Sequence, residues 1–375
     1  MHLDDATPAS RPPGATSAPG TPCAPCASGP DAPANAPSLP SGRYVGRFAP
    51  SPSGPLHRGS IVAALASWLD ARAHDGRWIL RIEDIDPPRQ RAGALDAILA
   101  QLHALGLTHD GEVQYQSAHV DRFEHALDRL RGMGRVYPCG CTRREIAIAA
   151  SKAGIDGAAG GGGGPGGGAT GAPADPLTAD PLTADPLTYT GRCRDGLPAG
   201  RSARAWRFRL DDESVAFDDR ALGQQRQHPL RHGGDFVLRR ADGLWAYQLA
   251  VVVDDAASGI TDVVRGADLL GSTGRQIMLQ RALGLPTPRY LHLPLVVDSQ
   301  GRKLSKSEDA RPVALDAPAE TLARAAQVLG LRTDGLPVDS AERWLDAAIV
   351  RWRDQFGLGA SAVGTLPPNS TASFA

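Results

Sequence analysis

The fourteen residues Arg47–Ser60 read RFAPSPSGPLHRGS and decide the fold. They begin within Tyr44–Phe48, a short apolar segment typical of a strand, and they lead into Gly59–His74, where the apolar spacing predicts a helix. The prolines and glycines between the two elements indicate a tight turn. A helix that starts directly after such a turn points its free N–H groups outward, which is a natural site for a phosphate.

Working outward from this turn, strands and helices alternate along the chain. Trp78–Ile82 reads as a strand and Gly93–Leu105 as a helix, and Trp245–Asp254 carries the run Leu-Ala-Val-Val-Val, which predicts a buried strand. Ile277–Leu283 and Ala319–Leu329 are predicted helices. This alternation predicts an α/β fold with a doubly wound parallel sheet.

Composition excludes several classes of protein. The chain has 375 residues and a formal net charge of −1, so a nucleic-acid partner must be held by local patches and not by a global positive field. Its apolar runs are shorter than the roughly 18–20 residues of a membrane span, so no membrane association is expected. Its first residues lack an apolar signal core, and a cytoplasmic protein is therefore expected.

Three stretches are too poor in large apolar residues to form a core. Residues 1–41 are expected to be a disordered arm, in which the pair Cys23 and Cys26 is either a redox or metal motif or an accident of composition. An insertion at about 153–188 is mostly glycine and then repeats ADPLT three times; it is either a partner-docking segment or a tolerated expansion. A loose tail, residues 357–375, is expected at the end.

His57 and Gly59 stand at the predicted helix entrance. A histidine there is able to donate to a phosphate oxygen, and a glycine lets a nucleotide approach the backbone closely. The alternative is an ordinary proline-rich connection with a surface histidine.

A second motif lies far downstream. Only three of the 40 basic residues are lysines, and two of them, Lys303 and Lys306, fall within Lys303-Leu-Ser-Lys-Ser307. Lysine is a compact and mobile point charge, which suits a phosphate that is being transferred. The alternative is a solvated turn with two incidental lysines.

Together these motifs resemble the signatures of class I aminoacyl-tRNA synthetases. Pro-Leu-His57-Arg-Gly59-Ser60 resembles their HIGH element, with serine in place of the last histidine, and Lys303–Ser307 resembles their KMSKS loop. The blocks between, Leu80–Arg89 (LRIEDIDPPR), residues 247–255 (YQLAVVVDD) and Gly259–Leu270 (GITDVVRGADLL), are similar to the glutamyl group of this family.

The resemblance implies activation of L-glutamate with ATP and Mg²⁺. Catalysis would involve His57, Gly59, Lys303 and Lys306, of which His57, Gly59 and Lys306 would bind ATP. The glutamate pocket implied by the family's motifs comprises Arg47, Phe48, Ala49, Pro50, Ser51, Glu83, Tyr247 and Arg265. The chemistry agrees, because an amino acid with two carboxylates and one ammonium needs fixed cations and one fixed carboxylate.

Two acidic pairs remain ambiguous. Asp84 and Asp86 are interpreted as caps of a helix after Pro87-Pro88, with a metal-binding pair as the alternative. For Asp254 and Asp255 the same two roles, a structural one and a metal-binding one, are both open.

Three cysteines suggest a metal rather than a disulfide in a cytoplasmic chain. Cys139 and Cys141, with Tyr189 and Cys193 beyond the insertion, resemble the zinc element of this group, in which a tyrosine oxygen completes four ligands. Chemistry alone favours three thiolates with water or histidine, and three free thiols are the alternative. One structural Zn²⁺ is expected.

Only 68 residues follow Ser307, too few for the helical anticodon-reading region of glutamyl-tRNA synthetases. We therefore expect a catalytic domain at 42–311 with a zinc/acceptor-type subdomain at 136–200, then a short helical segment at 312–375. The truncated form resembles family members that transfer glutamate to the queuosine base in the anticodon of tRNA(Asp). Arginines within 192–209 and 220–240 are expected to meet RNA phosphates or to be solvated surface charges.

Three other functions remain open at this stage. One is a truncated glutamyl-tRNA synthetase that charges tRNA(Glu). The second is a non-catalytic RNA-binding paralogue, and the third is a small-molecule nucleotidyltransferase with the same His-x-Gly turn.

Overall fold

The computed structural model describes residues 43–153, 188–295 and 315–356. The predictions for the N-terminal arm, for the glycine-rich and repeat insertion, for the lysine loop with Lys303 and Lys306 and for the tail lie outside the described residues.

Strands and helices alternate within these ranges. The strands are β1 Val45–Phe48, β2 Arg77–Ile82, β3 Gln114–Tyr115, β4 Val136–Cys139, β5 Ala205–Phe208, β6 Val215–Asp219, β7 Gly223–Gln227, β8 Val237–Arg239, β9 Asp262–Gly266 and β10 Arg289–Leu293. The helices are α1 Arg58–Ala73, α2 Ala94–Ala104, α3 Val120–Gly132, α4 Arg143–Lys152, α5 Pro229–Gly233, α6 Tyr247–Ala257, α7 Leu270–Ala282, α8 Pro318–Val328 and α9 Ala341–Phe356.

The central strands run parallel in two adjoining groups. One has the order β1-β2-β3, and the other has the order β7-β6-β10-β9, with only β7 antiparallel to its neighbour. The groups meet where Thr261 N, just before β9, donates to Val45 O at 2.9 Å. The chain thus moves outward from β1 in one direction and returns on its other side, and ligands of open α/β sheets bind where the strand order reverses in this way.

Apolar residues on both faces of this sheet hold it between two helical layers. Leu80 and Val264 belong to one core, with α1, α2, α8 and α9, whereas the neighbouring Ile79 and Val263 belong to a second core with α3, α6 and α7. Successive side chains of a strand point to opposite faces, so this division means that both faces are covered. The predicted doubly wound parallel fold is confirmed.

The strand predicted at Trp245–Asp254 is wrong. These residues are mostly the helix α6, which begins at Tyr247 and buries Leu249–Val252. A short apolar run is compatible with a buried strand or a buried helix, and the valines suggested a strand by propensity alone. The second core surrounds this helix, so tertiary packing overrides the preference of valine.

A smaller antiparallel sheet stands apart from the parallel strands. It has the order β4-β5-β8, and the helix α4 follows β4 directly. Thr142 is the N-cap of α4 and forms a capping box, in which its hydroxyl accepts from Glu145 N while the Glu145 carboxylate accepts from Thr142 N. This local signal places the start of α4 immediately after Cys141.

Candidate active site

The predicted phosphate-binding turn is built around His57. His57 is the N-cap of α1; its Nδ1 accepts from Ser60 N at 3.2 Å, and its Nε2 lies 3.1 Å from Ser60 Oγ. A Cβ on Gly59 would lie 3.2 Å from Cε1 and 3.3 Å from Nδ1 of that ring. Any larger residue at this position would crowd the imidazole that folds over the helix entrance, and the serine that replaces the last motif histidine contacts that ring.

A cleft of about 560 Å³ lies beside the carboxyl ends of the parallel strands. One wall carries Ser51 after β1, Glu83 after β2, and Tyr247 with Gln248 at the start of α6. The opposite wall comes from the smaller sheet and includes Cys141–Arg143, Ile146, Arg204 and Arg207. The cleft therefore joins the predicted glutamate pocket to the cysteine-bearing region.

Four charged side chains are buried together at the wall of the cleft, and Glu83 is the one of them that lines it. Asp255 of α6 lies 3.3 Å from Arg47 Nε and 2.7 Å from Arg81 Nη2, and Glu83 Oε1 lies 3.8 Å from the same Arg81 nitrogen. Two arginines and two carboxylates neutralise one another here, as burial of charge requires.

The two carboxylates of this group differ in their acidity. Burial would raise the pKa of Asp255, but Arg47 and Arg81 hold it below its ordinary value. Burial raises the pKa of Glu83 to about 7, because Arg81 and Arg47 offset only part of the desolvation. Glu83 lines the cleft, so it is the carboxylate that a ligand with an ammonium group would meet.

Arg265 lies behind the cleft wall on β9. Its side chain is buried and donates to Gln276 Oε1 and to Thr273 Oγ1, both at 2.8 Å, and to His292 Nε2 at 3.1 Å. Gln276 in turn donates to Gln248 Oε1 at 3.0 Å, and Gln248 lines the cleft. A hydrogen-bonded chain thus connects the cleft to this arginine.

The structure separates the predicted pocket residues into three groups. Ser51, Glu83 and Tyr247 line the cleft; Arg47 and Arg265 are buried behind its wall; and Phe48 stacks on Trp78 in the core, 6.1 Å between ring centroids. Ala49 and Pro50 lie between Phe48 and Ser51 in the sequence. Ala49 is half-buried, and Pro50 O accepts from Glu83 N at 3.0 Å, which ties the turn before α1 to the motif Leu80–Arg89. His57 and Gly59 stand at the start of α1, outside the cleft lining.

The first acidic pair, Asp84 and Asp86, has structural partners. Asp86 occupies the N-cap position of a single 3-10 turn, Pro87–Arg89, but makes no capping hydrogen bond and pairs with Arg240 at 3.1 Å. Asp84 accepts from Ser117 N at 2.8 Å and also from the Ser117 hydroxyl. The predicted capping role is therefore wrong for both: the turn is too short to need a side-chain cap, and charged or polar neighbours offer better donors.

The four predicted zinc ligands converge at one place. Among the described residues, Cys139, Cys141 and Cys193 form a group whose Sγ atoms all lie within 4.8 Å of one another, with Cys141 and Cys193 3.6 Å apart. Tyr189 Oη lies 3.5 Å from Cys139 Sγ and accepts from Cys193 N at 2.8 Å. Thiolates at about 2.3 Å from a tetrahedral zinc lie about 3.8 Å apart, so the spacing fits this ion.

The electrostatics of the cysteine group also suit a cation. Burial and the adjoining sulfur of Cys193 raise the pKa of the Cys141 thiol to about 12. Neighbouring thiolates repel one another, and a bound divalent ion is the usual means of deprotonating such a set. Arg207 stacks 3.9 Å from the Tyr189 ring centroid and donates to Asp235 O at 2.7 Å, which fixes that face of the tyrosine.

Three buried residues of the site were not singled out by the sequence. Arg81 lies in the strand RWILRI and His292 in the strand RYLHL, and Asp219 ends the strand VAFDD. The signal that marks the first two is a charged or polar residue inside an otherwise apolar strand, where burial demands a partner.

None of the helices in the described ranges is both long and apolar enough to cross a membrane.

The comparisons place these observations in a family. Residues 44–155 and 193–347 match the catalytic-domain model of class I tRNA synthetases (E and Q). The chain is 50% identical over 327 residues to a protein of Bordetella bronchiseptica named Glutamyl-Q tRNA(Asp) synthetase, covering 86% of this chain and 93% of that protein. It is 51% identical over 318 residues to a protein of the same name from Ralstonia nicotianae, covering 84% and 92%.

Solved structures support the fold. A glutamate tRNA ligase from Elizabethkingia meningosepticum superposes with a TM-score of 0.62 at 23% identity, covering 81% of this chain and 64% of that one. The glutamate-tRNA synthetase of Elizabethkingia anophelis gives the same TM-score and covers 65% of its length. The chain therefore spans just under two thirds of the solved ligases that it matches.

Proposed function

The chain belongs to the class I tRNA synthetases of the E and Q type, and from this membership we propose that it activates L-glutamate with ATP and transfers it to the queuosine base of tRNA(Asp). The observation that carries the proposal is about 50% identity over at least 92% of the length of relatives named for that reaction. The runner-up, a truncated synthetase that charges tRNA(Glu), is not favoured by those names.

Activation requires the glutamate α-carboxylate to attack the α-phosphorus of ATP. A new C–O–P link forms while the bond to pyrophosphate breaks, and the reaction is helped mainly by positioning and by stabilisation of charge. The N-terminus of α1 with His57 and Gly59 would hold ATP phosphates, which arrive with Mg²⁺. Lys303 and Lys306, outside the described residues, are proposed to add positive charge at the phosphates.

Glutamate would lie against the wall of the cleft that carries Glu83. Glu83 would pair with its ammonium group, and the hydroxyls of Ser51 and Tyr247 are on the same wall. Arg47 uses Nε and one Nη1 proton on Asp255 and Val264 O, which leaves three of its five N–H groups for a carboxylate. Arg265 would meet the second carboxylate through a small rearrangement of Gln248, which lines the cleft in front of it.

Transfer would occur from the other side of the cleft. A ring hydroxyl of the base attacks the glutamyl carbonyl carbon, an ester forms and AMP leaves. Most arginines of the two predicted RNA-binding stretches pair with carboxylates of the chain itself, such as Arg201 with Glu145 and Arg220 with Asp70. Arg204 is exposed and lines the cleft, and no described carboxylate pairs with it, so it is the arginine of those stretches we propose for a phosphate contact.

Cys139, Cys141, Tyr189 and Cys193 are proposed to hold one structural zinc ion. The ion would cross-link the chain on both sides of the insertion and so brace the second wall of the cleft, which Cys141 itself lines. The chain is proposed to act in the cytoplasm, where cysteines of this kind stay reduced.

The decisive experiment is transfer of labelled glutamate. Queuosine-containing tRNA(Asp), unmodified tRNA(Asp) and tRNA(Glu) are offered separately, and we expect label only on the first. Label on tRNA(Glu) would establish the runner-up. Absence of glutamate-dependent ATP–pyrophosphate exchange even with tRNA present would indicate a non-catalytic paralogue, and exchange without any amino acid would indicate a nucleotidyltransferase.

A further inference from the structure

A buried aspartate and histidine stand directly behind Arg265. Asp219 ends β6, His292 lies in the adjacent β10, and His292 is in register with Arg265 of β9. His292 Nδ1 lies 2.6 Å from Asp219 Oδ2, and both side chains are fully buried. None of the motifs that indicated the synthetase family includes this pair.

The hydrogen bonds determine which nitrogen of His292 carries the proton. The Asp219 carboxylate already accepts from Ala221 N and Leu222 N, both at 3.0 Å, and from His292 N. An ionised carboxylate only accepts, so the proton lies on Nδ1. The Nε of Arg265 only donates, so His292 Nε2, 3.1 Å away, must offer its lone pair. Asp219 thus fixes the tautomer of His292 in which Nε2 is able to accept a hydrogen bond from Arg265.

The environment keeps this histidine neutral. Burial lowers the pKa of His292 to about 4, with the hydrogen bond to Asp219 acting in the opposite direction and the positive charge of Arg265 adding to the decrease. Among the described residues, the Asp268 carboxylate also acts on it, and the Tyr290 ring is stacked with its centroid 6.0 Å away. The imidazole is therefore an acceptor for Arg265 at neutral pH.

Three acceptors then hold the guanidinium in one orientation. His292 binds Nε, Gln276 binds Nη1 and Thr273 binds Nη2, which leaves one N–H on each Nη atom. Two N–H groups are the number that a bidentate bond to a carboxylate needs. A long side chain held in this way loses little conformational entropy when its ligand arrives.

We infer that Asp219 and His292 are positioning residues for Arg265, which set the orientation in which this arginine receives a carboxylate of glutamate. The inference rests on the proposed function, because it takes glutamate as the ligand. It goes beyond that function in assigning substrate affinity to two residues that do not touch the cleft.

Two substitutions of similar size separate positioning from simple core packing. His292→Gln keeps an oxygen near the place of Nε2 and so an acceptor for Arg265, whereas His292→Asn keeps a donor near Nδ1 for Asp219 and loses the acceptor. Glutamate-dependent ATP–pyrophosphate exchange then gives KM for glutamate, KM for ATP and kcat, and thermal unfolding reports the fold. Asp219→Asn is the second test. An asparagine N–H directed at Nδ1 would move the histidine proton to Nε2, and the protonated Nε2 could no longer accept the hydrogen bond from Arg265 Nε.

We expect His292→Asn and Asp219→Asn to raise KM for glutamate roughly ten- to hundredfold, as loss of a hydrogen bond to a charged group does. KM for ATP should change less than twofold, and His292→Gln should stay within threefold of the parent for glutamate. The control is His74→Gln, since His74 also contacts a buried aspartate, Asp70, with its ring Nδ1 2.6 Å from Asp70 O, but does not contact Arg265.

The inference is overturned if the Gln and Asn variants of His292 have equal KM values for glutamate, or if glutamate and ATP are affected alike. If both His292 variants fail to fold, an unchanged KM for glutamate in Asp219→Asn overturns it. A parent enzyme without glutamate-dependent exchange, with or without tRNA, contradicts the proposed function first and the inference with it, so the two failures are distinguishable.

Discussion

Cys141 Sγ and Cys193 Sγ lie 3.6 Å apart although 52 positions separate the two residues in the sequence. Cys139 and the Tyr189 oxygen complete a group of four donors around the same point. A set of this kind, which the chain assembles from both sides of a long insertion, is expected to need an ion in order to be stable.

We expect purified protein to contain about one zinc per chain. Cys193→Ser should lose most of the metal, because three donors bind a tetrahedral ion far more weakly than four. The midpoint of thermal unfolding should then fall by roughly 5–10 °C, at about 2–4 °C per kcal/mol for a domain of this size. Metal analysis and calorimetry check this, with Cys26→Ser as the matched control; zinc well below one per chain in the parent ends the proposal.

Gly59→Ala should impair ATP binding selectively. The new methyl group would lie 3.2–3.3 Å from the His57 ring and push it off the entrance of α1. We expect KM for ATP to rise roughly fivefold, equivalent to about 1 kcal/mol. Gly132→Ala near the end of α3 is the control, because a Cβ there meets no atom within 4 Å; equal effects of the two alanines on KM for ATP contradict this role of Gly59.

Glu83 should give glutamate binding a pH dependence near neutrality. Its pKa is raised to about 7 by burial, and only the ionised form attracts the ammonium group of the substrate. KM for glutamate should therefore fall as the pH rises from 6 to 8, while KM for ATP stays level. Glu83→Gln should raise KM for glutamate roughly ten- to hundredfold and remove the trend; a trend that persists in this variant would assign it to another group.

The raised pKa of Glu83 makes the fold less stable as the pH rises, although the same rise in pH favours glutamate binding. Between the ordinary pKa of a glutamate, about 4.3, and about 7, the folded state binds more protons at Glu83 than the unfolded state. This residue's contribution to the free energy of unfolding therefore decreases as the pH rises through that range. Urea unfolding of the parent and of Glu83→Gln at pH 5 and pH 7.5 measures the difference, and the glutamine variant should lose less stability between the two.

Asp70→Asn should destabilise the fold by about 3–5 kcal/mol, as removal of one partner from a buried ion pair does. Asp70 accepts from Tyr44 Oη at 2.5 Å, from Arg220 at 2.6 and 2.8 Å, and from Trp352 Nε1 at 3.0 Å, and so joins α1 to α9 and to the residues that precede β1 and follow β6. Asp75→Asn is the control, because Asp75 is 87% exposed and pairs only with Arg353 in the described residues. Denaturant unfolding decides, and equal losses would mean that the buried network contributes little.

Arg204→Ala should weaken RNA binding without affecting activation. Loss of one phosphate contact should raise KM for queuosine-containing tRNA(Asp) and reduce the slope of log affinity against log salt by about 0.7–0.9. Arg231→Ala is the matched control, since Arg231 is an exposed arginine that pairs with Asp212 at 3.2 Å away from the cleft lining. If both variants bind tRNA like the parent, Arg204 is a solvated charge.

Much of the site was predictable because its motifs are local. The turn before α1, the helix itself and the strands β1 and β2 follow from proline, glycine and apolar spacing within a few residues. The pocket residues were predictable by resemblance, but not their depth: Ser51, Glu83 and Tyr247 reach the cleft, whereas Arg47 and Arg265 lie behind it.

Local chemistry determined the first strand–turn–helix unit, because short-range sterics and residue type decide such a feature. The family motifs and the four candidate metal donors were predictable from the sequence by resemblance. Only the tertiary structure decided that the valine run is the helix α6, that Asp255 joins Arg47 to Arg81, and that Asp219 and His292 stand behind Arg265. These features depend on which distant segments pack together, since a buried run takes the conformation its surroundings allow and a buried charge needs a partner that sequence spacing does not reveal.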